Sequence, residues 1–147
     1  MPVRLSYPHR RRLIADAAAL CLAAALPHSW AQPRADERRF HAAALAMREL
    51  ALSWGDQPYG AVLVLGGQVV GDGPSRVARS GDPSAHAERE AIRDAQRRLG
   101  RQQLAGSVLY STSHPSRSCE AAAAEAQVSR MVFGPDLIDA GAPRPLR

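Results

Sequence analysis

A pair of glycines, Gly66-Gly67, stands between two β-rich runs, "AVLVL" at 61–65 and "QVVGDG" at 68–73. Glycine reaches the positive φ angles of a two-residue hairpin loop at no steric cost. The two runs are therefore expected to pair antiparallel, with the turn setting their register. Ahead of the hairpin the apolar period changes. "ERRFHAAALAMRELALSW" carries Phe40, Ala44, Met47, Leu50 and Trp54 near helical spacing, which predicts a helix from Asp36 to Trp54 after a short linker, "QPRAD".

The same alternation continues beyond the hairpin. "SAHAEREAIRDAQRRLG" predicts a second helix, with Asp82 as its cap, Pro83 in its first turn and Gly100 closing it. Ala87, Ala91, Ile92, Ala95 and Leu99 form its buried stripe. "GSVLYST" reads as a third strand, "SCEAAAAEAQ" as a third helix and "SRMVFG" as a fourth strand; residues 135–147, with three Pro and little periodicity, read as a tail. Strands separated by helices, after an opening hairpin, predict an α/β fold with a mixed sheet. Functional groups in such a fold gather at strand ends, where helices begin.

Residues 1–31 read differently. Arg4, Arg10, Arg11 and Arg12 form a basic stretch, Leu13 to Leu26 is mildly apolar, and Ser29-Trp30-Ala31 offers small residues at the −3 and −1 positions of a cleavage site. The apolar run is interrupted by Asp16 and is too short to span a membrane. "RRRLI" resembles a twin-arginine export signal, which predicts a periplasmic or secreted mature chain of residues 32–147, one domain in size. The 147-residue chain carries +5, but four of its 19 Arg and one of its 14 acids lie before residue 32, leaving +2. That balance gives no reason to expect a nucleic-acid partner. One of the two cysteines, Cys21, also lies in that segment, so Cys119 would be the mature protein's sole thiol. It has no partner for an internal disulfide.

Two helix starts hold the chemistry-bearing residues. His86-Ala87-Glu88 opens the second helix, and Pro115 to Cys119, within "STSHPSRSC", opens the third. Imidazole nitrogen and thiolate sulfur are zinc donors, and a helix N-terminus favours the thiolate. A Glu two residues from the His points elsewhere on the helix and can handle protons. Taken singly, His-x-Glu and a lone Cys are commonplace. Their order and flanking elements, "PYGAVLV", "GDGPSR", "DPSAHAEREAI", "LYSTSHPSRSC" and "VSRMVFG" from Pro58 to Gly134, together carry a resemblance.

The chain resembles the zinc-dependent cytidine/deoxycytidylate deaminase superfamily, in its branch of tRNA adenosine, guanine and cytosine deaminases. The resemblance implies a three-layer α/β/α sandwich, Zn²⁺ as cofactor, His86 and Cys119 as metal ligands, and Glu88 as proton shuttle. It implies hydrolytic deamination of a small nucleobase or nucleoside and, as an expectation only, a homodimer. Three positions depart from the pattern. Ser116 stands where the family has a first thiolate, His114 where this branch commonly has Glu, and Ser75 where an Asn usually contacts the base. His114 and Ser75 are thus candidates for substrate contact, and Ser116 marks the missing ligand. A serine hydroxyl is a poor zinc ligand. The sequence leaves open whether His114 swings in as a replacement. It also leaves open a non-catalytic descendant that binds a ligand or partner, or a metal-free protein with a reactive Cys119.

Overall fold

The computed structural model describes residues 32–147, with side chains from residue 35 onward. The export reading of residues 1–31 lies outside the described residues. In chain order the elements are helix α1 (Gln32–Ser53), strands β1 (Gly60–Leu65) and β2 (Gln68–Pro74), and a one-turn helix α2 (Val77–Ser80). Then come α3 (Ala87–Leu99), β3 (Val108–Ser111), α4 (Arg117–Glu125), β4 (Arg130–Phe133) and β5 (Ile138–Gly141). The strands form one sheet in the order β2-β1-β3-β4-β5. β1 pairs antiparallel with both β2 and β3, β3 pairs parallel with β4, and β4 antiparallel with β5. The sheet is mixed, as the alternation of elements predicts.

Side-chain alternation along β1 sorts the core into two layers. Val62 and Val64, with Tyr110 and Val132, face Phe40 and Ala44 of α1. Ala61 and Leu63, with Leu109 and Met131, face Ala87, Ala91, Ile92 and Ala95 of α3 and Ala123 beside them on α4. Helices therefore cover both faces. The fit of α3 to the sheet is unusually close at β2. A Cβ on Gly73 would lie 2.1 Å from the Ala87 carbonyl oxygen, and one on Gly71 would lie 2.2 Å from that of Ala91. Small residues on both sides let the two backbones approach.

Three expectations need correcting. "QPRAD" is not a linker; it forms the first turn of α1, which ends at Ser53. Asp82 does not cap α3, because its carboxylate accepts the Ser84 N–H at 2.8 Å and closes a local turn. The helix starts later, with His86 as its N-cap. The tail is not structureless: β5 pairs along the free edge of β4. Its residues are mostly exposed, so main-chain hydrogen bonding and not an apolar stripe makes it a strand, and no periodicity announces it. Among the described residues no helix is long and apolar enough to cross a membrane.

Candidate metal centre and cavity

The parallel strand β3 ends at Ser111, and the following turn delivers the chain to the start of α4. That end of the sheet faces the start of α3. His86 has extended backbone angles (φ −66°, ψ 153°) and makes no side-chain cap bond, so its ring is free to turn toward α4. The imidazole Nδ1 lies 3.5 Å from Cys119 Sγ. Glu88, 4% exposed, completes a group with these two in which the ligand atoms all lie within 4.8 Å of one another. Its Oε1 accepts a 2.8 Å hydrogen bond from the Ser111 hydroxyl.

The spacing of the two strong donors can be tested against a shared metal. Zn–N of about 2.0 Å and Zn–S of about 2.3 Å at a tetrahedral angle put nitrogen and sulfur roughly 3.5 Å apart. The observed separation meets that requirement. Cys119 is fully buried. Burial, and then the charge of Glu88, push its thiol up to about 11, so the metal-free protein carries a protonated thiol at neutral pH. A cation between the two side chains removes both penalties.

Ser116 has found other work. It is the N-cap of α4, with its hydroxyl oxygen accepting the Cys119 N–H at 3.2 Å and lying 3.0 Å from the Ser118 hydroxyl. His114 is outside the His86–Glu88–Cys119 group: its ring packs edge-on against Phe133 with centroids 4.6 Å apart, and Nδ1 lies 2.8 Å from the Pro115 carbonyl. An imidazole rescue of the missing ligand is not what this geometry shows. Both residues instead line a cavity of about 360 Å³, together with Gln57, Tyr59, Glu88 and Ser113. Ser75 is fully buried and does not reach that cavity wall. Its hydroxyl donates to Asp56 Oδ1 at 2.9 Å, while the same carboxylate accepts the backbone N–H groups of Gln57 and Arg79. These bonds, against the opposing cost of burial, hold the Asp56 carboxyl below its ordinary range. Ser75 thus steadies the turn that presents Gln57.

Sequence reasoning overlooked Gln57 and Ser111. For Ser111 a signal existed. Strand alternation puts it on the face of Leu109, opposite Ala61, where an apolar residue is expected; a hydroxyl there needs a buried partner.

Residues 33–135 match the family model described as the cytidine and deoxycytidylate deaminase zinc-binding region. The chain belongs to that deaminase family. Zinc is accordingly the metal that His86 and Cys119 suit, and the mixed five-stranded sheet is the family's fold. Among relatives, the tRNA-specific adenosine deaminase of Agrobacterium fabrum is 40% identical over 99 residues, covering 65% of this chain and 64% of the relative. The guanine deaminase of Bacillus subtilis is 37% identical over 83 residues, 56% of this chain and 53% of the relative. Its solved structure superposes with a TM-score of 0.62 at 35% identity, covering 66% of this chain and 62% of that one. A structure from work on A-to-I editing by tRNA:A34 deaminases gives 0.64 at 37% identity, covering 66% and 70%. The matched stretch spans 60–64% of the length of the tRNA deaminases of Buchnera aphidicola, Agrobacterium fabrum and Aquifex aeolicus.

Proposed function

We propose that this deaminase-family chain hydrolyses the amino group of a small nucleobase or nucleoside and releases ammonia. The observation that carries the reading is the buried carboxylate of Glu88, at the cavity wall and within 4.8 Å of the His86 and Cys119 donor atoms. Zinc, when bound, supplies the Lewis acidity that makes water nucleophilic at neutral pH. Glu88 has Oε1 held by Ser111, which leaves Oε2 to take a proton from the attacking water and return it to the departing amino group. Tyr59 and His114 offer aromatic walls to a planar base, and Gln57, Ser113 and Ser116 offer polar atoms to its edge. The cavity's volume of about 360 Å³ suits a ligand of base or nucleoside size. We further propose that residues 1–31 direct export, which favours a diffusible substrate over tRNA; cell fractionation tests that location.

Ammonia release from guanine, cytosine, adenosine, cytidine and bulk tRNA by zinc-loaded protein tests the reaction. At least one small compound should be turned over, and Glu88→Ala should abolish turnover while retaining zinc. Turnover of tRNA alone would replace the substrate assignment. One observation favours a second reading, a non-catalytic binding module: the hydroxyl of Ser116 serves α4 as a cap where a third metal ligand is missing. Purified protein without zinc, and without turnover in excess zinc, would support that reading.

A further inference from the structure

The hydroxyl of Ser111 and the carboxylate of Glu88 are 1% and 4% exposed, and they meet at 2.8 Å. Ser111 lies on a sheet face otherwise given to Leu109 and Ala61. A hydroxyl in such surroundings is unfavourable unless it is bonded. The backbone N–H of Ser113 approaches the hydroxyl oxygen at 3.4 Å, which leaves the hydroxyl proton for Glu88. The sulfur of Cys119, on α4, lies within 4.8 Å of the same carboxylate, and the one hydrogen bond that Glu88 receives among the described side chains comes from Ser111. With Ser116 capping its helix, His86 and Cys119 are the two strong donors that the described residues bring together, and a carboxylate within 4.8 Å of both is close enough to be drawn in as a third.

We propose that Ser111 is a positioning residue: its hydroxyl fixes Glu88 in the orientation of a proton acceptor and restrains it from becoming a metal ligand. A monodentate bond at Oε1 sets the rotation of the carboxylate and keeps Oε2 toward the cavity. Without that bond, rotation about the terminal torsion is cheap, because terminal sp³–sp² torsions are broad. The freed carboxylate can then turn toward a metal held by His86 and Cys119. The inference rests on the deaminase reading, and it separates proton handling from metal retention in a way that a packing role does not.

Ser111→Ala and Ser111→Thr proteins, compared with the unaltered chain, test it by chelator competition for zinc and by steady-state ammonia release. Alanine should lower kcat about 10–100-fold, as loss of an outer-shell partner does, with KM unchanged and zinc held as tightly as before or more tightly. Threonine keeps the hydroxyl and should restore kcat to within about threefold, as expected for retention of that outer-shell bond. Parallel loss of zinc and activity in the alanine variant, or failure of threonine to rescue, overturns the proposal. If the unaltered chain has no turnover, the deaminase reading falls separately, and crystal structures of the two variants decide this one. Glu88 must then leave its position in Ser111→Ala and keep it in Ser111→Thr; an unmoved carboxylate in the alanine variant sinks it.

Discussion

Ser116 is subject to two demands that pull in opposite directions. As the residue before the first turn of α4 it accepts the Cys119 N–H and so satisfies one of the helix's unpaired donors. As a residue lining the same cavity as His86 it offers only a neutral hydroxyl. Ser116→Cys exchanges one function for the other. The metal-free variant should lose about 1 kcal/mol of stability with the cap. Its zinc affinity should rise by more than about tenfold, since a thiolate bonded directly to the metal outweighs a group that only hydrogen-bonds to a ligand. Denaturant unfolding of the metal-free protein and chelator competition measure the two effects separately. Unchanged zinc affinity would mean that position 116 does not face the metal at all.

The element that matters most for the site is α3, because it carries both His86 and Glu88 at its start. Its placement depends on β2, whose Gly73 lies under the Ala87 carbonyl. Gly73→Ala would put a methyl 2.1 Å from backbone, which no rotamer change relieves. The start of α3 must lift from the sheet, at a cost of about 1–3 kcal/mol, as for other overpacked positions. Thermal melting should show the lost stability. Zinc affinity should fall with it, whereas Gly67→Ala at the exposed turn should leave the metal site intact. This dependence also explains what could be read in advance. The Gly66-Gly67 hairpin, the α3 stripe from Ala87 to Ala95 and the presence of α3 and α4 are legible because local periodicity and turn chemistry determine them. Leu99, expected in the buried stripe, is instead exposed at the end of α3, and the cap of that helix is His86 and not Asp82. β5 was not legible, since its pairing is a property of the β4 edge and its own side chains are exposed. Ser75 misled for a related reason. It stands where the family has a base-contacting Asn, but its hydroxyl is claimed by Asp56, nineteen residues earlier, and no local rule announces that bond.

At the scale of the whole molecule, His86 and Cys119 are 33 residues apart and belong to different helices on one face of the sheet. A metal held by both therefore cross-links α3 to α4, and its binding energy becomes folding energy, because the unfolded chain cannot present the two donors together. At a hundredfold excess over its dissociation constant, zinc should add about 2.7 kcal/mol. For a domain of this size that raises Tm by roughly 10 °C. The effect has a definite pH sign. The Cys119 thiol sits at about 11, above its ordinary 9.0, so near neutrality it must give up a proton to bind metal. Zinc affinity should then fall about tenfold for each pH unit lowered, and the Tm gain at fixed zinc should shrink from pH 8 to pH 6. The metal-free protein should show the opposite slope at high pH. Its folded thiol resists ionisation while the unfolded one yields near 9, so stability declines as pH rises from there toward 11. Melting curves with and without zinc across that range, repeated on Cys119→Ser, separate the two trends. A zinc-induced gain that persists in Cys119→Ser, or that is indifferent to pH, would show that the thiol is not what ties the two helices together.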